Sequence, residues 1–167
     1  SLTPQNTQEH YETVVQAGAD LFVIRGASVS AEHISTSHEP LNLKKFIYEL
    51  DVPVMVGGVA GYTQAKHLMR TGAAGVLVGF GGGSAMTTRK GLGISAPMAT
   101  AIADVAAARS DYLDESGGRY VHVIADGGLS RSGDLVKALA LGADAVMIGA
   151  PLARASEAPG QGWYWGN

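Results

Sequence analysis

With 167 residues, the chain has room for one domain with a substantial core. It is 46% hydrophobic and 16% charged, and its net charge of −3 gives no electrostatic reason to expect nucleic acid or an anionic membrane surface as a partner. It contains no cysteine, which excludes disulfides, thiolate metal sites and cysteine nucleophiles together. No stretch is apolar for the roughly 18 residues a spanning helix needs, and nothing has the pattern of a signal peptide. A cytoplasmic protein is therefore the expectation.

The elements follow in chain order. Thr3 and Pro4 open an amphipathic helix that runs to Ala17 and is closed by Gly18. Asp20 to Ile24 reads as a strand ending at Arg25-Gly26. Ala27 to Leu41 is a polar loop holding His33 and His38, long for a connection of this kind and so a candidate for function. Asn42 to Leu50 predicts a helix with Leu43, Phe46, Ile47 and Leu50 on one face. Pro53 to Val56 is a short strand ending at Gly57-Gly58, and Tyr62 to Thr71 a helix closed by Gly72. Gly75 to Val78 is a strand ending at Gly79. Phe80 to Gly93 is a loop rich in glycine and threonine. Ser95 caps a predicted helix over Ala96 to Ser110, and Asp111 to Arg119 reads as a polar connection. Val121 to Ala125 is an almost wholly apolar strand, as one buried on both faces should be. Asp126 and Gly127-Gly128 end it. A helix capped by Ser132 closes at Gly142, and Ala145 to Ile148 is a last strand, ending in Gly149-Ala150. The tail from Ser156 to Asn167 carries Trp163, Tyr164 and Trp165, a lid or simply a packed tail.

Three segments share one grammar: AGADLFVIRG at 17–26, TGAAGVLVGF at 71–80 and LGADAVMIGA at 141–150. Each is a helix end, a glycine, a small pair, a short apolar strand and a turn. Strands that alternate regularly with helices imply an α/β fold with a parallel sheet. A doubly wound sheet and a (β/α)8 barrel both satisfy this. Strands that all end in glycine or a polar residue favour the barrel, with a site at its carboxyl rim. A whole barrel needs eight units and about 250 residues. The predicted fold is therefore a partial TIM barrel, roughly units four to eight.

Several turns could carry chemistry. Gly79 to Arg89, GFGGGSAMTTR, combines close backbone approach with the hydroxyls of Ser84, Thr87 and Thr88 and the charge of Arg89. A plain surface loop is the alternative. Asp126 is placed to bind ribose hydroxyls, or else serves an Asx turn or a helix start. Gly128, Gly149 and Ala150 would offer backbone N–H groups to a phosphate, or are simply tight turns. The five histidines show no metal-ligand spacing.

GFGGGSAMTTR resembles the loop motif G-x-G-P-G-S-x-C-T-T-R of the IMP dehydrogenase/GMP reductase family. IADGGLSRSGDLVKALALGADAVMIGAPLARASEAPG is similar to that family's IADGG…SGD…KALA.GADAVM.G…EAPG segment. The match is nearest to IMP dehydrogenase-related paralogues without the inserted CBS pair. It implies that residues 1–167 form the carboxyl-terminal part of an IMP dehydrogenase-like barrel domain. It also implies an oxidoreductase of guanine nucleotide metabolism, with NAD as hydride acceptor and a purine nucleoside monophosphate such as IMP as substrate. By the same resemblance Ser84, Gly127, Gly128, Gly149 and Ala150 hold the phosphate and Asp126 the ribose. Thr88 assists hydrolysis, Gly57 and Gly58 flank base and nicotinamide, and carbonyls of Gly81, Gly83 and Met86 bind a monovalent cation such as K+. A homo-oligomer, by family a tetramer, is implied as well.

The departures are as informative. The family's nucleophilic cysteine corresponds to Met86, a thioether that has no ionisable proton and forms no releasable adduct. Arg25-Gly26 stands where the NAD-side carboxylate is expected. The family's mobile flap would follow Asn167. A catalytically inactive, nucleotide-binding or regulatory paralogue is thus the second expectation, and another phosphate-binding barrel enzyme the third.

Overall fold

The computed structural model describes residues 1–33, 36 and 39–163. His38, Tyr164 and Trp165, singled out above, lie outside the described residues. In order, the elements are α1 (Pro4–Gln16), β1 (Phe22–Arg25), β2 (Glu32–His33), β3 (Leu41–Asn42), α2 (Leu43–Glu49), β4 (Val54–Val59), α3 (Tyr62–Met69) and β5 (Gly75–Val78). Then come α4 (Thr88–Leu92), α5 (Met98–Glu115), β6 (His122–Asp126), α6 (Ser132–Ala140), β7 (Ala145–Met147) and α7 (Ala150–Ala153).

Five strands form one sheet in the order β1-β4-β5-β6-β7, with every pair parallel. Each crossover between neighbours is helical, so all carboxyl ends lie on one edge. The four residues of β5, at the centre, are buried throughout, the pattern of a strand covered on both faces. The strands supply Phe22, Ile24, Val56, Val76, Val78 and Val123 to the core, and the helices Leu68, Met69, Ile102, Val105 and Ala108, all within 1% of full burial. Each such aliphatic or aromatic side chain contributes about 1.5–3 kcal/mol by leaving water. Phe22 meets Phe46 at 5.7 Å between ring centres, and Phe46 meets Tyr11 edge-on at 5.4 Å, which ties α1 and α2 to β1.

The outer edge of β1 is partly paired: Leu2 forms a parallel bridge to Ile24. At the other edge, Met147 of β7 is 45% exposed. The peptide joining Gly57 and Gly58 is cis.

Several boundaries differ from the sequence reading. The long polar loop folds part of itself into a two-stranded antiparallel ribbon, Glu32 opposite Asn42. β4 runs through Gly57-Gly58 to Val59, because a Cβ on Gly57 would lie 2.4 Å from that of Leu77, and only glycines let β4 and β5 approach so closely here. Asn42 is the cap of α2, accepting from the Lys45 N–H at 3.0 Å, and not its first residue. Ser95 does not cap α5, which starts at Met98 after Pro97, and Ser132 is the first residue of α6 with Arg131 before it. α5 also continues five residues beyond Ser110, absorbing much of the expected connection, for a reason found in its partner helix.

Tyr62, Lys66 and Arg70 line one face of α3 at i, i+4 and i+8. Asp111 and Glu115 meet them from α5. Arg70 grips Glu115 with two hydrogen bonds of 2.7 and 2.8 Å, Lys66 sits 3.1 Å from the same carboxylate, and the Tyr62 hydroxyl donates to Asp111 at 2.6 Å. This seam holds the last turn of α5 in helical form.

Candidate functional site

The carboxyl ends of the strands converge on one mouth. β5 ends at Gly79, whose φ is +136°; a Cβ there would lie 2.3 Å from the Asp126 carbonyl oxygen. The loop after it lies backbone to backbone on the turn after β6. A Cβ on Gly128, at φ +75°, would meet the Gly82 carbonyl oxygen at 2.9 Å. Two glycine turns are thus pressed together with no side chain between them. The N–H groups of Gly127, Gly128 and Gly149 donate to no backbone carbonyl among the described residues. Unpaired N–H groups at a turn form an anion-binding concavity.

A cavity of about 500 Å³ occupies the mouth. It is lined by Gly81–Met86, by Asp126–Ser130 and by Met147, Gly149 and Ala150, with Arg25, Arg89, Lys90 and Arg154 around them. Ser84, Met86, Gly81, Gly83, Asp126, Gly127, Gly128, Gly149 and Ala150, all singled out from sequence, therefore share one space. Thr88 stands just behind, on the first turn of α4, lining a cleft of about 20 Å³ with Met86, Arg25, Gly58 and Asp126. Gly58 reaches this cleft and Gly57 does not; both are buried in the sheet. Met86 closes a tight turn with its N–H on the Gly83 carbonyl at 3.1 Å.

One residue of the site escaped the sequence reading as a partner. Arg25, at the end of β1, reaches across the mouth to Asp126 at the end of β6. Its Nε and Nη2 lie 3.1 and 3.0 Å from the same oxygen, Oδ2. Across a flat sheet these strands would stand three spacings, about 14 Å, apart. The Asp126 side chain is 11% exposed and that of Arg25 46% exposed. The two residues are 101 positions apart, so no local pattern announces the pair.

A second carboxylate is equally committed, but at the opposite edge of the sheet. Asp144 accepts from the Tyr120 hydroxyl at 2.5 Å, from the Val123 N–H at 2.7 Å and from Arg109 at 2.8 Å. Burial opposes its ionisation, but these donors prevail and hold its carboxyl below the usual aspartate range. It is a structural tie between α5, β6 and β7. Among the described residues no group of His, Asp and Glu is placed to hold a metal ion, and no helix is long and apolar enough to cross a membrane.

Comparison with known proteins agrees with this geometry. The family model described as "IMP dehydrogenase / GMP reductase domain" matches residues 2–166. An uncharacterized oxidoreductase of Mycolicibacterium smegmatis is 62% identical over 165 residues, 98% of this chain and 44% of that protein. An inosine-5′-monophosphate dehydrogenase of Thermoplasma acidophilum is 43% identical over 148 residues, 89% of this chain and 28% of that protein. The crystal structure of an IMP dehydrogenase/GMP reductase-like protein from Corynebacterium glutamicum superposes with a TM-score of 0.87 at 60% identity, covering 96% of this chain and 41% of that one. The chain thus spans less than half the length of the curated relatives it matches, and its fold is a partial TIM barrel. On the match of 165 residues to the family model, the chain belongs to the IMP dehydrogenase/GMP reductase family.

Proposed function

We propose that this chain is the nucleotide-binding, carboxyl-terminal part of an IMP dehydrogenase-like barrel and binds a purine nucleoside 5′-monophosphate at the mouth. The observation that carries this reading is the backbone contact between the Gly79–Gly83 loop and the Asp126–Gly128 turn. It brings the backbone of both glycine turns to the wall of one cavity, with no side chain between the turns. Ser84, Gly127, Gly128, Gly149 and Ala150 would hold the phosphate, and Asp126 the sugar. Family membership supports a place in guanine nucleotide synthesis and a cytoplasmic homotetramer.

NAD fits these residues poorly. Arg25, Gly58, Met86, Thr88 and Asp126 line a cleft of about 20 Å³ that shares Arg25, Met86 and Asp126 with the 500 Å³ cavity. Arg25 stands where a carboxylate would receive the cofactor's sugar. Gly57 and Gly58 are needed by the sheet itself. The Gly83 carbonyl accepts from the Met86 N–H and keeps a second lone pair, so with the Gly81 and Met86 carbonyls it would hold a monovalent cation. No step is routed through either group. The chain's own residues bind and orient a nucleotide. Thr88 holds a hydroxyl beside Met86, and Met86, with no ionisable proton, attacks nothing.

Met86 favours a second reading, a binding or regulatory relative that performs no hydride transfer. IMP-dependent reduction of NAD, followed at 340 nm for the full-length protein and its Met86→Cys variant, separates the two. The second reading expects no NADH from the unsubstituted protein. Turnover of about 1 s⁻¹ or more, within the ordinary enzyme range, would overturn it and establish the oxidoreductase.

A further inference from the structure

Among the described residues, arginines grip three carboxylates, and the grip at the mouth differs from the other two. Arg70 takes Glu115 as a fork, with Nε on Oε1 at 2.7 Å and Nη2 on Oε2 at 2.8 Å. Asp144 also has both oxygens committed, Oδ1 to the Tyr120 hydroxyl and Oδ2 to Arg109 and the Val123 N–H. Arg25 instead places Nε and Nη2 on a single oxygen of Asp126, Oδ2, at 3.1 and 3.0 Å. Both acceptor positions of Oδ1 are left, on a side chain that is 11% exposed and lines the mouth cavity.

The guanidinium stands on a fixed base. The Arg25 N–H donates to the Leu2 carbonyl at 2.9 Å. Gly26 donates to the Gly57 carbonyl at 2.8 Å and accepts from the Gly58 N–H at 3.0 Å. In the sheet, β4 and β5 separate β1 from β6, so the pair spans the mouth instead of joining neighbouring strands. A half-exposed arginine adds little to stability through such a pair. It does stop the aspartate from turning. A free carboxylate at a strand end samples several rotamers, whereas charge-assisted donors on one oxygen keep the other in one place. A sugar cis-diol then meets two lone pairs without first having to order the side chain.

Resting on the nucleotide reading above, we infer that Arg25 is a positioning residue. It holds Asp126 so that Oδ1 receives the 2′- and 3′-hydroxyls of the nucleotide, and it thereby sets a preference for ribose over deoxyribose.

Calorimetric titration of the full-length protein with IMP and with 2′-deoxy-IMP, before and after Arg25→Met, tests this. The two ligands share phosphate and base, so a general loss of structure or charge at the mouth acts on both alike. Their affinity ratio reports the hydroxyl contact with Asp126. IMP is expected to bind about ten-fold more tightly than the deoxynucleotide. In Arg25→Met the ratio should fall to about three-fold or less, mainly through weaker IMP binding, and Arg25→Lys should recover part of it. Arg25→Gln, read against the same limits, serves if Arg25→Met does not melt cooperatively. A ratio below about five-fold in the unsubstituted protein, or above about three-fold in Arg25→Met, overturns the positioning role and leaves phosphate binding at the glycine turns standing. If neither nucleotide binds an unsubstituted protein that melts cooperatively, both readings fall.

Discussion

A methyl group on Gly79 would sit 2.3 Å from the Asp126 carbonyl oxygen and 2.8 Å from the terminal carbon of Met98. The backbone there also has φ +136°, a region closed to alanine. Gly79→Ala must therefore separate the two turns that form the mouth. Overpacking and backbone strain each cost about 1–3 kcal/mol, so melting should fall by roughly 4 °C or more, and nucleotide binding should weaken with it. A melting temperature within a degree of the unsubstituted protein would contradict this contact. The role of Gly79 was legible in the sequence, because a glycine directly after a buried strand signals a turn at the sheet end. The Arg25–Asp126 pair was not. Each residue was visible as a strand terminus, but their meeting depends on the curl of the whole sheet. Met86 could be read at once, since a thioether can be judged from its chemistry alone.

The α3–α5 seam shows what propensity misses in an element. Asp111 to Arg119 is polar, so it reads as a connection, yet Glu115 closes the helix because Arg70 and Lys66 wait opposite it. The signal was available as the spacing of 62, 66 and 70 against 111 and 115, a pattern between helices that a single-segment reading does not weigh. The Arg70 hydrogen bonds, with Lys66 behind them, lower the Glu115 pKa from 4.5 to about 2. A carboxyl with a depressed folded pKa contributes stability that is fully present above the unfolded value. That contribution disappears as pH falls from about 4.5 toward about 2. Glu115→Gln should therefore lower the melting temperature near pH 6 and flatten its fall between pH 5 and pH 2. The exposed setting makes the change small. Parallel melting curves for the two proteins across that range would show that the seam does not titrate.

At the scale of the molecule, the repeat of helix end, glycine, small pair and strand was enough to give five parallel strands and a partial barrel. Strand ends in glycine pointed to the carboxyl edge, where the structure has a cavity of about 500 Å³. The sequence reading missed the small ribbon of β2 and β3, because two-residue strands carry no periodicity. It also placed Gly57 and Gly58 in a ligand site; Gly57 packs closely against Leu77, and Gly58 lies against Gly79 and reaches the small cleft. The largest consequence lies in how the parts combine. The turns that suit a phosphate meet at one cavity, and Met86 and Arg25 line both it and the small cleft beside it. The central claim is the cradle itself, and titration calorimetry with IMP and with inosine tests it most directly. Saturable binding of IMP, no measurable heat from inosine, and at least ten-fold weaker IMP binding in Asp126→Ala are expected. Equal binding of IMP and inosine, or unchanged affinity in Asp126→Ala, would contradict it.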